Sequence, residues 1–337
     1  MQGNPYKLHG ALGSPYSIKM RALLRYRRLP HLWLSGGSAA DIARKHMKAP
    51  VIPVLEYPDG SFKNDSTPLI YDLEARHPNQ RSIIPDHPAD AFLAFLLEDF
   101  GDEWLTKAMF HYRWFLPRDQ QQMSHWLPFD SMQGGGLERI DAAATFFRDR
   151  QVGRMALVGC TAENQALIET STRRVLSALE SHVVNSFHLF GTRPSLAEFG
   201  IYGQLSQLGV DPTAQEMMRA DFPYTYRWMQ TVDDMSGIEG QWRDPAIPYA
   251  PVIKALLHCV GDVYMPFLNA NAAAIAEGRD TMRFEALGMS YAQQPFKYQV
   301  KCLADLRAAF HALSPDTRAE LEPLLEETKC LATLASA

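Results

Sequence analysis

The chain has 337 residues, 46% of them hydrophobic and 21% charged, and a formal charge of −5 at pH 7. That length and apolar content suffice for a buried core and about two domains, while the weak acidic balance lacks the basic field that nucleic acid requires. Four cysteines (Cys160, Cys259, Cys302, Cys330) show no CxxC spacing and eleven histidines form no HExxH or Cys/His pattern, so neither a disulfide framework nor a metal site is expected.

The opening residues MQGNPYKLHG lack the apolar run of a signal peptide, and no stretch approaches the roughly 20 apolar residues of a membrane span, which predicts a cytoplasmic protein. Tyr6 to His9 is a short strand candidate. Gly10 to Arg28, GALGSPYSIKMRALLRYRR, then opens a helix in which Ile18, Ala22, Leu23 and Tyr26 recur at helical spacing. Ser14 takes the N-cap and Pro15 the first helical position, where a missing N–H costs nothing. Such a junction aims unpaired N–H groups, a hydroxyl and the positive end of a helix dipole at one spot, which suits an anion. Arg25, Arg27 and Arg28 are read as a solvated helix end rather than a binding patch.

His31 to Leu34 is a second strand candidate, Gly36-Gly37 a loop, and Ala39 to Lys48 a helix. In Ala49-Pro50-Val51-Ile52-Pro53-Val54-Leu55-Glu56-Tyr57 a strand begins after Pro53, because proline cannot donate within a ladder. Pro58-Asp59-Gly60 turns the chain into a returning strand, Ser61 to Asn64. Ser66 caps a helix with an apolar stripe at Leu69, Ile70 and Leu73. The order is βαβ followed by ββα. His77-Pro78-Asn79-Gln80 and Pro85 to Pro88 form a linker.

Beyond it the strand signals stop. One long helix is predicted from Ala89 to Phe115, with others over Leu137 to Gln151, Ala162 to His182, Ser195 to Leu208 and Ala220 to Met235. Ser195 and Glu198 make a capping box after Gly191-Thr192-Arg193-Pro194. Within the long helix Asp99, Asp102 and Glu103 read as a solvated face, and His111, Arg113 and Trp114 as substrate-side candidates suited to a planar or anionic ligand. From 241 onward, helices are predicted over Pro251 to Glu277, Lys297 to Leu313 and after Ser314-Pro315-Asp316, with a loop or short hairpin from Met282 to Pro295.

Ser14-Pro15-Tyr16-Ser17 resembles the Cys-Pro-Tyr-Cys turn of the thioredoxin and glutaredoxin superfamily, with serine in place of both thiols. A hydroxyl forms no disulfide, so dithiol exchange through this motif is excluded. Together with Ile52-Pro53, the Asp65-Ser66 pair and the capping box, the turn resembles the serine-type glutathione transferases, in a longer bacterial branch with a C-terminal extension. The resemblance implies an α/β thioredoxin-like N-terminal domain (1–80), an all-α C-terminal domain (89–240) and a helical extension (241–337), in a homodimer. It implies glutathione as co-substrate, with Ser14 as donor to its thiolate and Ser17 or Tyr16 as alternatives. A cis Pro53 would offer the backbone of Ile52 to the cysteinyl group, and Asp65 and Ser66 would take the γ-glutamyl end. Pro68 departs from the pattern by removing an N–H near that end. The implied reaction is attack of the thiolate on an electrophilic, hydrophobic or aromatic small molecule by conjugation, thiolytic cleavage or isomerisation, as in detoxification. The alternative is a non-catalytic ligand-binding or scaffolding protein that retains the fold; neither nucleic acid nor membrane is an expected partner.

Overall fold

The computed structural model describes residues 4–78 and 81–336, so Asn79 and Gln80 of the predicted linker lie outside the described residues. The first part of the chain runs β1 (Tyr6–Gly10), α1 (Pro15–Tyr26), β2 (His31–Ser35), α2 (Ser38–His46), β3 (Val54–Glu56), β4 (Phe62–Asn64) and α3 (Ser66–Arg76). The sheet order is β2-β1-β3-β4, with β1 parallel to β2 and the other pairs antiparallel. This is the expected βαβ-ββα, thioredoxin-like arrangement. The crossover helix lays Met20, Leu23 and Leu24 on a core that includes Leu8 and Leu55, all buried, and each such side chain contributes about 1.5–3 kcal/mol. The Tyr57 to Ser61 turn closes β3 on β4 with Gly60 at φ 81°, where an L side chain would be strained.

The remainder is mostly helical. The long helix expected from Ala89 to Phe115 is two, α4 (Pro88–Glu103) and α5 (Leu105–Trp114). The ladder tightens at Trp104, whose carbonyl accepts from Lys107 N–H, while its indole turns inward to donate to Ser171 at 3.0 Å. Next comes α6 (Pro117–Met132), which sequence patterning missed because Gln120 to Gln122 and an internal Pro128 hide its periodicity. Then follow α7 (Leu137–Val152), α8 (Gln165–Val183), α9 (Leu196–Leu208), α10 (Pro212–Asp221) and α11 (Pro223–Val232). The helix expected from Ala220 to Met235 is thus split at Pro223, which starts a helix but cannot continue one.

The Ser195–Glu198 capping box forms and opens α9, which packs against both α1 and α4. Glycine makes this approach possible: a Cβ on Gly101 would lie 2.9 Å from the Gly200 carbonyl carbon. The close crossing brings the α1 side chains against α4.

The last hundred residues fold onto this helical unit. A continuous helix consists of α12 (Pro251–Cys259), a π turn (Val260–Tyr264) and α13 (Met265–Ala276); a hairpin of β5 (Met282–Ala286) and β6 (Met289–Gln293) follows, then α14 (Lys297–Ala312), α15 (Pro315–Glu327) and α16 (Leu331–Leu334). Trp104, Phe267, Phe284 and Tyr291 form one aromatic cluster that joins the hairpin and α13 to the α4–α5 junction. Contrary to the sequence expectation, Pro251–Ala276 is long and apolar enough to cross a membrane. In this fold 67% of its apolar window is buried inside the protein, and that burial accounts for its composition.

Two further readings are corrected. Arg27 is buried and paired with Glu74 of α3, while Arg25 pairs with Asp233 and Arg28 with Glu239 beyond α11, so the arginines tie α1 to distant parts of the chain rather than forming a solvated helix end. Asp99 and Asp102 are buried rather than solvated, because the extension and α1 cover that face of α4.

Candidate functional site

The site is built at the C-terminal end of β1, where the chain turns through Ala11 to Gly13 into α1. Ser14 is the N-cap, with extended backbone angles, and its Oγ accepts from Ser17 N–H at 3.3 Å. That bond uses a lone pair and leaves the hydroxyl hydrogen to be donated elsewhere. Ser14 is half-buried, so a ligand has access to it.

The two alternative donors stand differently. Ser17 is fully buried, with its hydroxyl beside Gly10, where a Cβ would lie 2.7 Å from it. The Tyr16 hydroxyl donates to the Asp102 carbonyl at 3.0 Å, and burial together with Glu103 and Asp102 pushes it well above the usual phenol range.

The Ile52–Pro53 peptide is cis, as the resemblance implied. Ile52 precedes Val54, the first paired residue of β3, so its backbone groups lie outside the ladder. Asp65 has φ 74° and ψ 110°, an unusual conformation for a residue other than glycine, directly before α3.

Ser66 opens α3 and is buried. Its hydroxyl lies 3.4 Å from both Lys19 Nζ and Asp102 Oδ2. Lys19 is fully buried, donating to Glu98 and, at 2.6 Å, to Asp102. Thr67 adds a 2.6 Å bond to Glu98. Against burial, which disfavours charge, Asp102 and Glu98 hold Lys19 protonated above the usual lysine range. Burial and the charge of Glu98, opposed by Lys19, raise the Asp102 carboxyl to about 8. Sequence reading passed over Lys19, although a lysine at 19 on the face shared by Tyr16, Met20 and Leu23 was a visible break in an apolar stripe. Glu98 and Asp102, one helical turn apart, were its legible counterpart.

A cavity of about 650 Å³ opens beside Leu12 and Gly13, with Met123, Trp126, Leu127 and Phe129 from α6 and Met229 from α11 as apolar lining, and Arg21, Asp130 and Asp233 as charged lining. The expected substrate side does not line it. His111 and Trp114 lie in the core of the helical part, His111 bonded to Glu169 at 2.9 Å and Trp114 packed near Phe147. Burial lowers the His111 pKa despite that carboxylate.

Arg113 is also buried, yet it reaches the loop. Its Nε donates to both Asp211 oxygens at 3.0 and 3.1 Å, Nη2 to Gln207 at 2.7 Å and Nη1 to the Gly13 carbonyl at 2.9 Å. Gln207 in turn donates to the Leu12 carbonyl at 3.1 Å. The two residues before Ser14 are therefore clamped from the helical part of the chain. Leu127 closes the same loop from above, at the place where a Cβ on Gly13 would sit.

The four cysteines are free and buried, and among the described residues no His, Cys, Asp and Glu group is placed to hold a metal ion.

Residues 8–81 match the family model described as the N-terminal domain of glutathione S-transferase. No curated protein matches the chain. Among solved structures, a glutathione S-transferase from Methylobacterium radiotolerans in complex with glutathione sulfonate is 16% identical, with a TM-score of 0.41 over 73% of this chain and 100% of that one. One from Methylobacillus flagellatus with glutathione bound is 18% identical, with a TM-score of 0.42 over 67% of this chain and 93% of that one. One from Rhodospirillum rubrum is 16% identical, with a TM-score of 0.43 over 75% and 91%.

Proposed function

We propose, from the match of residues 8–81 to the glutathione S-transferase N-terminal domain, that this chain is a glutathione transferase-like enzyme that binds glutathione as its co-substrate and activates it as thiolate. The observation that carries the reading is Ser14: an accessible N-cap hydroxyl whose oxygen is already oriented by Ser17 N–H and whose hydrogen is free to bond an anion at a helix N-terminus. In this reading Ile52 pairs through its backbone with the cysteinyl group beside cis Pro53, and Asp65 and Ser66 take the γ-glutamyl end. Ser17 is enclosed and Tyr16 already donates to Asp102, which favours Ser14 as donor.

The magnitudes are adequate. A free thiol titrates near ~8.5. One hydrogen bond to a charged acceptor contributes about 1.5–3 kcal/mol, so Ser14 would lower the bound thiol by about one to two units. The thiolate sulfur then attacks an electrophilic carbon; an S–C bond forms and the leaving group departs with its electron pair, or an added carbanion takes a proton. The cavity beside Gly13, walled by Met123, Trp126, Leu127 and Phe129 with Asp130, Arg21 and Asp233 as its charged lining, suits a hydrophobic or aromatic electrophile that carries a polar group. Conjugation, thiolytic cleavage and isomerisation all fit this chemistry. The reading extends to a homodimer acting in cytoplasmic detoxification, and sedimentation of the full chain would measure the dimer.

The test is calorimetric titration of glutathione, with ultraviolet detection of thiolate across pH, for the native chain and Ser14→Ala. Loss of the hydroxyl is expected to raise the bound-thiol pKa by about one to two units while glutathione still binds. An unchanged pKa would remove Ser14 from the donor role. One observation favours the non-catalytic reading: Ser66 is buried with its hydroxyl toward Lys19 and Asp102, and Pro68 lacks an N–H in the first turn of α3. Failure of glutathione to bind would select a ligand-binding or scaffolding role instead.

A further inference from the structure

The C-terminal extension returns to the first part of the chain beside Asp65. Asn271 of α13 grips Phe296 by two bonds, accepting from its N–H at 2.7 Å and donating to its carbonyl at 3.0 Å, and so fixes where α14 begins. Two residues later the Tyr298 hydroxyl lies 3.3 and 3.4 Å from the two carboxylate oxygens of Asp65, across 233 positions of sequence. Gln299 donates to Glu103 at 3.2 Å, and Tyr264 donates to Asp99 at 2.6 Å. The extension therefore closes the acidic face of α4 and leaves Tyr298, 37% exposed, beside Asp65.

The proposed function places Asp65 and Ser66 at the γ-glutamyl end, where Asp65 is the one of the two whose charge can pair with the amino group, and Tyr298 is a side-chain partner supplied to it from outside both domains of the resemblance. A carboxylate that accepts from a phenol is oriented by it. An ammonium has three hydrogens to donate, and the phenol oxygen keeps lone pairs to accept one of them while its own hydrogen stays on Asp65. We infer that Tyr298 is a specificity-determining residue of the glutathione site, which positions the Asp65 carboxylate and, with it, recognises the free α-ammonium of a γ-glutamyl peptide. The inference rests on the glutathione reading, and it makes the extension one wall of the site.

The experiment uses the full chain and two ligands: glutathione, and its analogue in which a glutaryl group replaces γ-glutamyl, so that only the amino group is missing. Tyr298→Phe is expected to weaken glutathione roughly tenfold, the effect of about one hydrogen bond to a charged group, while the analogue binds native and variant chains within about twofold. In an Asp65→Ala background the same change is expected to weaken glutathione by clearly less than in the native chain, since the carboxylate that Tyr298 orients is gone and only the phenol's own bond to the ammonium remains. Equal binding of glutathione by the native chain and Tyr298→Phe, or parallel weakening of both ligands, would overturn the inference and leave the glutathione reading intact. If the native chain binds neither ligand, the glutathione reading falls and this inference falls with it.

Discussion

Arg113→Ala is expected to destabilise the protein by about 3–5 kcal/mol, because it leaves the buried Asp211 carboxylate without its cation. Asp211 is fully buried, and burial raises its carboxyl to about 6 even with Arg113 beside it, so the variant must either carry an unpaired charge or protonate the acid. The effect extends to chemistry, because the same guanidinium holds the Gly13 carbonyl and, through Gln207, the Leu12 carbonyl. Arg113→Lys separates the two roles: it keeps a charge near Asp211 but loses the planar fork that bonds Asp211, Gln207 and Gly13 together. Denaturant unfolding of both variants measures stability, and the bound-thiol pKa measures whether Ser14 has moved. The lysine variant is expected to recover part of the stability while the thiol pKa stays raised. Full recovery of both would reduce Arg113 to a neutralising charge.

Lys19→Met is expected to cost a similar amount, about 3–5 kcal/mol at pH 8, with a pH dependence of definite sign. In the native fold Lys19 is held protonated above its unfolded value, so its contribution is fully present below the ordinary lysine range and disappears only at strongly alkaline pH. Asp102 has the same sign in a lower pH window. Its folded pKa of about 8 lies above the unfolded value, so the folded state retains a proton that the unfolded chain has lost, and that stabilising contribution declines as pH rises from about 4 to 8. Removing Lys19 leaves Glu98 and Asp102 with each other's charge and no counterion. The deficit of Lys19→Met relative to the native chain should therefore grow from pH 5 to pH 8, and thermal unfolding across that interval measures it. A deficit independent of pH would show that Lys19 acts by packing alone.

Much of the first domain was legible in the sequence because its signals are local. Ser14 before Pro15, the Pro58-Asp59-Gly60 turn and the alternation of strand and helix patterns each act over a few residues, and the sheet formed as those patterns imply. The same holds for the Ser195–Glu198 capping box. Charges were misread where their environment is set by a distant segment. Arg27, Asp99 and Asp102 have the composition of a solvated face, and each is buried by a partner from elsewhere in the chain: Glu74, Tyr264 and Lys19. His111 and Trp114 look like cleft residues by type, yet helix packing turns them into the core, and α6, whose internal proline masks it, supplies much of the cavity wall.

By itself, then, the sequence determined the order of strands and helices, the serine at the head of α1 and the place of the proline before β3, since hydrogen-bonding capacity, fixed backbone angles and side-chain periodicity are properties of short segments. Only the tertiary structure decided which carboxylates are paired, that Arg113 grips the loop before Ser14, and that Tyr298 meets Asp65. Those contacts join residues about 80 to 233 positions apart. They exist because the close crossing of α4 and α9 and the return of the extension bring distant groups together, which no local pattern encodes.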